Sequence, residues 1–194
     1  MLIAFEGLDQ SGKETQARRL GERLRAGGWQ VRPLSFPEYE TPIGRELKSA
    51  LAGERDFPPE VMQLLYVANR GEFRERIATW LDAGDIVICD RYRASTVAYG
   101  EAHGIDPGWL TSIQQFLPAA SLTVLLDLAP ETAAARKQTG RDKYERDLAL
   151  LGRVRESYRR QAAAPGWLVI DGDQPKDQVT AAVEQAVLPR LGRR

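Results

Sequence analysis

Residues 7–15 read Gly7-Leu8-Asp9-Gln10-Ser11-Gly12-Lys13-Glu14-Thr15, directly after the apolar run Leu2-Ile3-Ala4-Phe5. Two glycines five positions apart, with lysine after the second, fit a phosphate-binding loop between a strand and a helix. Backbone N–H groups of such a loop converge on a phosphate, and the following helix adds the positive end of its dipole. We therefore expect this loop to bind nucleotide phosphates. The simpler alternative is a link whose glycines only turn the chain.

One position departs from that pattern. Glu14 stands where Ser or Thr would ligate Mg²⁺, and the hydroxyl follows at Thr15. Glu14 also brings a negative charge close to the phosphates unless its side chain faces away. We expect the metal to rely on phosphate oxygens, water and a carboxylate, for which Asp9 and Asp90 are the candidates.

Composition excludes several classes of protein. The 194 residues carry 27 basic and 27 acidic side chains, so the formal net charge is zero, which argues against a nucleic-acid-coating protein. The chain has no run of eighteen apolar residues and starts straight into a strand, so we expect a cytoplasmic protein without a membrane segment. Cys89, the one cysteine, has no partner for an internal disulfide and is expected in the core, and the one histidine, His103, is expected in a surface loop.

Strand and helix patterns alternate along the whole chain. This alternation predicts an α/β protein of one domain, residues 1–194, with a five-stranded parallel sheet and helices on both faces. One long helix is predicted from Pro59 to Asp82. Its buried stripe would include Leu64 and Ala68. The expected strands after the first are Gln30–Phe36, Asp85–Cys89, Leu122–Leu128 and Trp167–Asp171, and a helix is expected at Pro107–Phe116.

Candidate chemical groups lie at two further places. Asp90 and Arg91 follow a buried strand, where open α/β sheets bind their ligands, and Arg91 could hold an acceptor phosphate bidentately or form a structural ion pair. The basic segment at about 137–143 suits a lid that closes over bound substrates, or it is simply a charged surface. Its cations and the one just before it are Arg136, Lys137, Arg141 and Lys143.

Five blocks of sequence together resemble thymidylate kinases in order and spacing, over about residues 2–158. Besides the phosphate loop, the blocks are Phe36-Pro37 with Pro42-Ile43-Gly44, Leu64-Leu65-Tyr66-Val67-Ala68-Asn69-Arg70, Asp90-Arg91-Tyr92 with Ser95, and Asp142-Lys143-Tyr144-Glu145. The resemblance implies the three-layer, P-loop-type fold of nucleoside monophosphate kinases with a short basic lid. It implies direct transfer of the γ-phosphate of ATP to dTMP with Mg²⁺, giving dTDP on the way to dTTP, and it implies a homodimer.

The same resemblance implies roles for individual residues. Residues 7–15 would hold ATP. The catalytic groups would be Lys13, Asp9, Arg91 and Arg141. Arg141 is included because no arginine lies between Gly7 and Gly12, so the lid would have to supply the catalytic positive charge. The residues implied to bind dTMP are Asp9, Phe36, Pro37, Arg45, Tyr66, Arg70, Arg91, Thr96 and Tyr99.

Two alternative functions stay open at this point. One is a kinase for a different nucleotide or for a nucleoside, which the residues of the acceptor pocket would decide. The other is a nucleotide-binding module without turnover, for which Glu14 is the one positive sign. Arg91 and the basic lid argue against the module.

Overall fold

One parallel sheet forms the centre of the protein. The structure, a computed structural model, describes residues 1–136 and 147–192. Within these ranges the strands lie in the order β2-β3-β1-β4-β5, and every neighbouring pair is parallel. This confirms the predicted α/β class and the five-stranded parallel sheet. The strands are β1 (Leu2–Glu6), β2 (Val31–Ser35), β3 (Ile86–Asp90), β4 (Leu122–Asp127) and β5 (Trp167–Asp171).

Helices cover both faces of this sheet, which makes three layers. Ile3 and Phe5 of β1 pack into a core shared with α1 and α9, whereas Leu2 and Ala4 pack on the opposite side against α3 and α4. Successive strand residues point to opposite faces, so a fully apolar strand serves both cores. The helices are α1 (Lys13–Ala26), α2 (Pro42–Leu51), α3 (Pro59–Gly71), α4 (Arg74–Asp82), α5 (Arg93–Ala102), α6 (Pro107–Ser112), α7 (Pro130–Arg136), α8 (Leu148–Gln161) and α9 (Lys176–Val187).

Two helix predictions were wrong in extent. The long helix predicted from Pro59 to Asp82 is divided into α3 and α4, and the chain turns at Phe73. Gly71 weakens the helix there, and the Phe73 ring is buried edge-on against Phe36, with ring centroids 5.5 Å apart. The helix predicted to reach Phe116 ends at Ser112.

The buried face of α3 was also predicted wrongly. Leu64 is 44% exposed and Ala68 is exposed, whereas the polar Gln63, Asn69 and Arg70 are buried. Leu64 and Ala68 of the predicted stripe therefore face outward. The polar face turns inward, towards the pocket described below.

The central position of β1 determines where the phosphate loop lies. β1 pairs with β3 on one side and β4 on the other, and Phe5 is in register with Asp90. The segments after β1 and β3 therefore meet at the carboxyl edge of the sheet, as expected for ligand-binding loops of an open α/β sheet. Within the described ranges no helix has both the length and the apolar character to cross a membrane.

Candidate active site

The loop between β1 and α1 has a backbone shape that few residue types adopt. Gly7 has φ of 139°, and a Cβ there would lie 2.5 Å from the carbonyl oxygen of Leu126, so only glycine fits. Gly12 precedes α1 with φ of 94°, and Gln10 has φ of 65°, which is strained for a residue with a side chain. Strained positions of this kind cluster where proteins hold ligands. The loop therefore has the form of a phosphate cradle.

Lys13 is the buried cation of this loop. Its side chain is 5% exposed, and its Nζ donates to the carbonyl oxygen of Leu8 at 2.7 Å. Burial and the nearby Arg91 guanidinium lower the pKa of Lys13 to about 8, because both disfavour its charged form. Nearby carboxylates offset only part of this effect, and a phosphate placed in the loop would add negative charge beside the ammonium.

Arg91 and Asp9 form an ion pair beside the loop. Nη2 of Arg91 donates to Oδ1 of Asp9 at 2.6 Å and to the hydroxyl of Tyr99 at 3.1 Å. Burial by itself would raise the pKa of Asp9, but the charges of Arg91 and Lys13 outweigh it and hold this pKa well below its ordinary value. Arg91 has φ of 63°, so its backbone is strained in the same way as that of Gln10.

A buried network orients Arg91 from behind. Glu6 is fully buried, and its carboxylate accepts hydrogen bonds from the Tyr92 N–H, the Ser95 hydroxyl and the Tyr158 hydroxyl, at 2.8, 2.6 and 3.1 Å. Nη1 of Arg91 donates to the hydroxyls of Ser95 and Tyr158. Hydrogen bonds to a buried carboxylate are charge-assisted and strong, so this network limits where the guanidinium can lie.

Eight of the nine residues implied to bind dTMP line one pocket next to this ion pair. Arg70 closes one wall: its Nη1 donates to Oγ1 of Thr96 at 2.7 Å, and its guanidinium lies 5.9 Å from the centre of the Phe36 ring. Burial lowers the pKa of Arg70. The eight residues are Asp9, Phe36, Pro37, Tyr66, Arg70, Arg91, Thr96 and Tyr99.

Arg45 is the exception. It is exposed on α2 and donates to the carbonyl oxygen of Glu40 at 2.7 Å, away from the residues that line the pocket. Its role at the dTMP phosphate stays a prediction.

Comparisons with known proteins identify the family to which this sequence and fold are similar. A family model described as thymidylate kinase matches residues 5–183. The chain belongs to the thymidylate kinase family. It is 32% identical to the thymidylate kinase of Arabidopsis thaliana, over 98% of this chain and 72% of the relative, and 35% identical to that of Thermomicrobium roseum, over 99% and 97%. The solved structure of thymidylate kinase from Candida albicans is 28% identical, covers 97% of this chain and 91% of that chain, and superposes with a TM-score of 0.83. This match confirms the expected P-loop-type kinase fold.

The resemblance did not identify every residue of the pocket. Tyr39, Leu51, Gln63, Ser95 and His103 also line it. Helical spacing could have identified Gln63, which lies three and seven positions before Tyr66 and Arg70 on the same helix. Asn69 has a supporting role: its side chain accepts from the Glu38 N–H and donates to the Glu38 carbonyl, which holds the loop that follows Pro37.

The candidate lid residues separate into two groups. Arg136 ends α7, and its guanidinium donates to the carbonyl oxygens of Gln10 at 3.2 Å and Gly172 at 2.9 Å. It therefore joins the phosphate loop to the segment after β5. The lid at about 137–143, with Lys137, Arg141 and Lys143, lies outside the described residues.

Carboxylates near the loop are few. Burial raises the pKa of Asp90, and its Oδ1 is buried without a hydrogen-bond partner in the described part of the chain. Glu14 is exposed and lines the same groove as Asp90, between α1 and β2. Among residues 1–136 and 147–192, no three acidic, histidine or cysteine side chains are grouped so that they could hold a metal alone.

Proposed function

We propose that this protein transfers the γ-phosphate of ATP to dTMP, giving dTDP, with Mg²⁺. The observation that carries the proposal is the position of the Arg91–Asp9 pair, between a strained phosphate loop and a pocket walled by Tyr66, Arg70 and Phe36. That arrangement offers one site for a donor phosphate, one for an acceptor phosphate and one for a nucleobase, at the carboxyl edge of the sheet.

Residues 7–15 would hold the phosphates of ATP. The backbone N–H groups of the loop and the N-terminus of α1 provide an anion site. Lys13 adds a mobile charge at the β- and γ-phosphates, and binding there would restore its ordinary pKa. Arg136, which bonds the loop at Gln10, lies where donor-side contacts would form.

The dTMP phosphate would bind to Arg91, whose planar guanidinium suits two phosphate oxygens. This phosphate would compete with Asp9 for Arg91, so we expect Asp9 to turn to the 3′-hydroxyl of the sugar. Tyr66 would stack on the thymine and Arg70 would donate to its edge. Tyr99, which already contacts both Asp9 and Arg91, would fill the space of a 2′-hydroxyl and so favour deoxyribose.

Transfer would be direct and in line, without a phosphorylated enzyme. The acceptor phosphate is ionised near neutral pH, so it needs little help from a general base, and positioning and charge neutralisation supply the rate. Closure of the lid at 137–143 would bring Arg141 to the transferring group and exclude water, which otherwise competes as the acceptor.

The carboxylate of Asp90 fits Mg²⁺, because this ion prefers carboxylates, phosphate oxygens and water as ligands. The buried Oδ1 of Asp90, which has no hydrogen-bond partner among the described residues, is an oxygen that such an ion would satisfy. Asp9 is a weaker candidate because Arg91 already neutralises it. When bound, the metal supplies charge neutralisation at the β- and γ-phosphates. Glu14 is exposed, so it leaves the phosphate cradle itself unobstructed.

We further propose that residues 1–194 act as a single kinase domain in the cytoplasm. The sequence supports this location through its one cysteine, which is buried as Cys89 and needs no oxidising compartment.

We propose that the protein forms a homodimer through α3. Leu64, Ala68 and Gly71 recur at helical spacing on its outer face, and the half-exposed ring of Phe116 lies against Gly71. The small side chain of Ala68 would let a second α3 approach closely, and two exposed large apolar side chains on one face need cover. We call this surface, residues 64, 68, 71 and 116, the α3 face.

Steady-state release of ADP tests the proposed activity. Release from ATP and Mg²⁺ is compared with dTMP, dUMP, dCMP, dGMP and CMP as acceptors, with and without the metal. We expect release to require Mg²⁺ and to be fastest with dTMP, and single-turnover experiments to trap no phosphoenzyme. Bound ATP without acceptor-dependent release would mean a binding module, and a faster second acceptor would mean a kinase for that nucleotide.

A further inference from the structure

Three side chains of α3 point into the acceptor pocket on successive turns. Gln63, Tyr66 and Arg70 are separated by three and four residues, so they lie on one helix face, and all three line the pocket. Gln63 is 3% exposed and Arg70 is 2% exposed. The roles proposed above use Tyr66 and Arg70 and leave Gln63 without one.

Two polar atoms of this face have no hydrogen-bond partner in the part of the chain that the structure describes. They are Oε1 of Gln63, an acceptor, and Nε of Arg70, a donor. Buried polar atoms in folded proteins are almost always paired, so each unpaired one needs an explanation. A ligand in the pocket that both side chains line is the simplest explanation for the two together.

One nitrogen of the Arg70 guanidinium is already engaged. Its Nη1 donates to Oγ1 of Thr96 at 2.7 Å and to the carbonyl oxygen of Tyr66 at 3.4 Å. Arg70 has donors only, so it can bind a carbonyl oxygen of a base but cannot accept from its N–H. The amide of Gln63 has an acceptor, and its soft terminal torsion lets it turn towards a ligand at little cost.

Resting on the dTMP kinase function proposed above, we propose that Gln63 is a specificity-determining residue. Its amide oxygen accepts the N3–H of a keto pyrimidine, while Arg70 donates to the adjacent O4. Thymine and uracil present this pair of groups. Cytosine presents an amino group and an unprotonated N3 instead. Its amino group is a donor facing Arg70, which has donors only, so cytosine cannot take this position even if Gln63 turns an N–H towards N3.

Gln63→Leu tests this role, because leucine keeps the apolar bulk and removes the amide. The matched control is Gln114→Leu: Gln114 is 1% exposed and its Oε1 is also unpartnered among the described residues, but it lines a different cavity. The kcat/KM values for dTMP, dUMP and dCMP are measured with ATP and Mg²⁺ for wild type and both variants.

We expect Gln63→Leu to lower kcat/KM about tenfold for both dTMP and dUMP, the size of one lost hydrogen bond, and to change that for dCMP less than about twofold. Gln114→Leu should leave the kcat/KM values for all three acceptors unchanged. An equal loss for all three acceptors, or no loss, overturns the proposal. Wild type that does not phosphorylate dTMP contradicts the proposed function instead.

A ligand-side change keeps the test usable if Gln63→Leu folds poorly. Methylation of dTMP at N3 removes the N–H that Gln63 is proposed to read. Wild type should bind N3-methyl-dTMP at least tenfold more weakly than dTMP, and the difference should shrink to about twofold in folded Gln63→Leu. Equal binding by wild type, or an undiminished difference in the variant, overturns the proposal.

Discussion

Lys13 shows how one residue of the loop depends on its ligand. Its ammonium is buried beside the Arg91 guanidinium, and burial and this like charge lower its pKa to about 8. Bound phosphate would raise this pKa again, because opposite charges nearby favour the charged form. ATP binding should therefore take up a proton wherever the free lysine is partly neutral, and this uptake should grow as the pH rises through its pKa of about 8.

Calorimetry in buffers of different ionisation enthalpy measures this uptake. At pH 8.5 a lysine of pKa about 8 is about three-quarters neutral, so we expect an uptake of about 0.7 proton per ATP, and about 0.1 at pH 7. Lys13→Arg is the control, because arginine stays charged throughout and should take up none. The idea fails if wild type and Lys13→Arg show the same proton count at pH 8.5.

At the scale of elements, α8 couples to the acceptor site through one hydroxyl. Tyr158 donates to Glu6 at 3.1 Å and receives a hydrogen bond from Arg91 at 3.3 Å, and burial raises its pKa so that it stays a neutral donor. Tyr158→Phe leaves the buried Glu6 with one bond fewer and Arg91 less constrained. We expect a loss of about 1–2 kcal/mol in the free energy of unfolding and a three- to tenfold rise in the KM for dTMP, with kcat changed less.

The neighbouring Ser157 provides the matched control. Its hydroxyl also bonds across to α5, at Glu101, but touches nothing in the pocket. Ser157→Ala should lower stability by a similar amount and leave the KM for dTMP unchanged. If both variants raise KM equally, Tyr158 only supports the fold. Chemical denaturation and steady-state kinetics on the same samples separate the two effects.

Helix α3 shows how far elements can be predicted from this sequence. Strand positions were predicted to within one or two residues. For β1, β3 and β4 the signal is a short, nearly continuous apolar run, and the end of β2 was marked by the proline that follows it. The buried face of α3 was predicted wrongly, because the prediction placed there leucine and alanine side chains that the structure exposes. Gln63, Asn69 and Arg70 are buried instead, since they serve a pocket and the loop beside it. A binding site puts polar side chains on a buried helix face beside apolar ones such as Met62 and Val67, so a sequence read for packing alone misassigns part of such a helix.

For the molecule as a whole, the sheet explains why distant motifs meet. Arg91 and Asp9 lie 82 positions apart in sequence, and the pairing of β1 with β3 brings them to 2.6 Å. The sequence predicted both motifs and could not supply the strand order, because parallel neighbours are joined through long crossovers. The resemblance supplied what periodicity could not. Eight of its nine acceptor-site residues line one pocket, and Arg45 stands apart.

The exposed apolar residues of α3 also bear on assembly. Its polar face lines the acceptor pocket and its apolar α3 face is exposed, so a dimer through this helix would bury Leu64 and Phe116 directly behind the base-binding wall. Glutamate at both positions would put like charges into that interface. We expect Leu64→Glu with Phe116→Glu to sediment as a monomer of about 21.6 kDa, while wild type sediments at about twice that mass.

Val169 on the edge strand β5 provides the control, because it is 56% exposed and lies away from α3. Val169→Glu should remain dimeric.

Since α3 also holds Tyr66 and Arg70, the monomeric variant should bind dTMP more weakly than wild type, by about three- to tenfold, because the base wall loses its outer support. A wild type that is monomeric at micromolar concentration, or a dimer broken by Val169→Glu and not by the α3 variant, would place the interface elsewhere and leave α3 with the pocket alone.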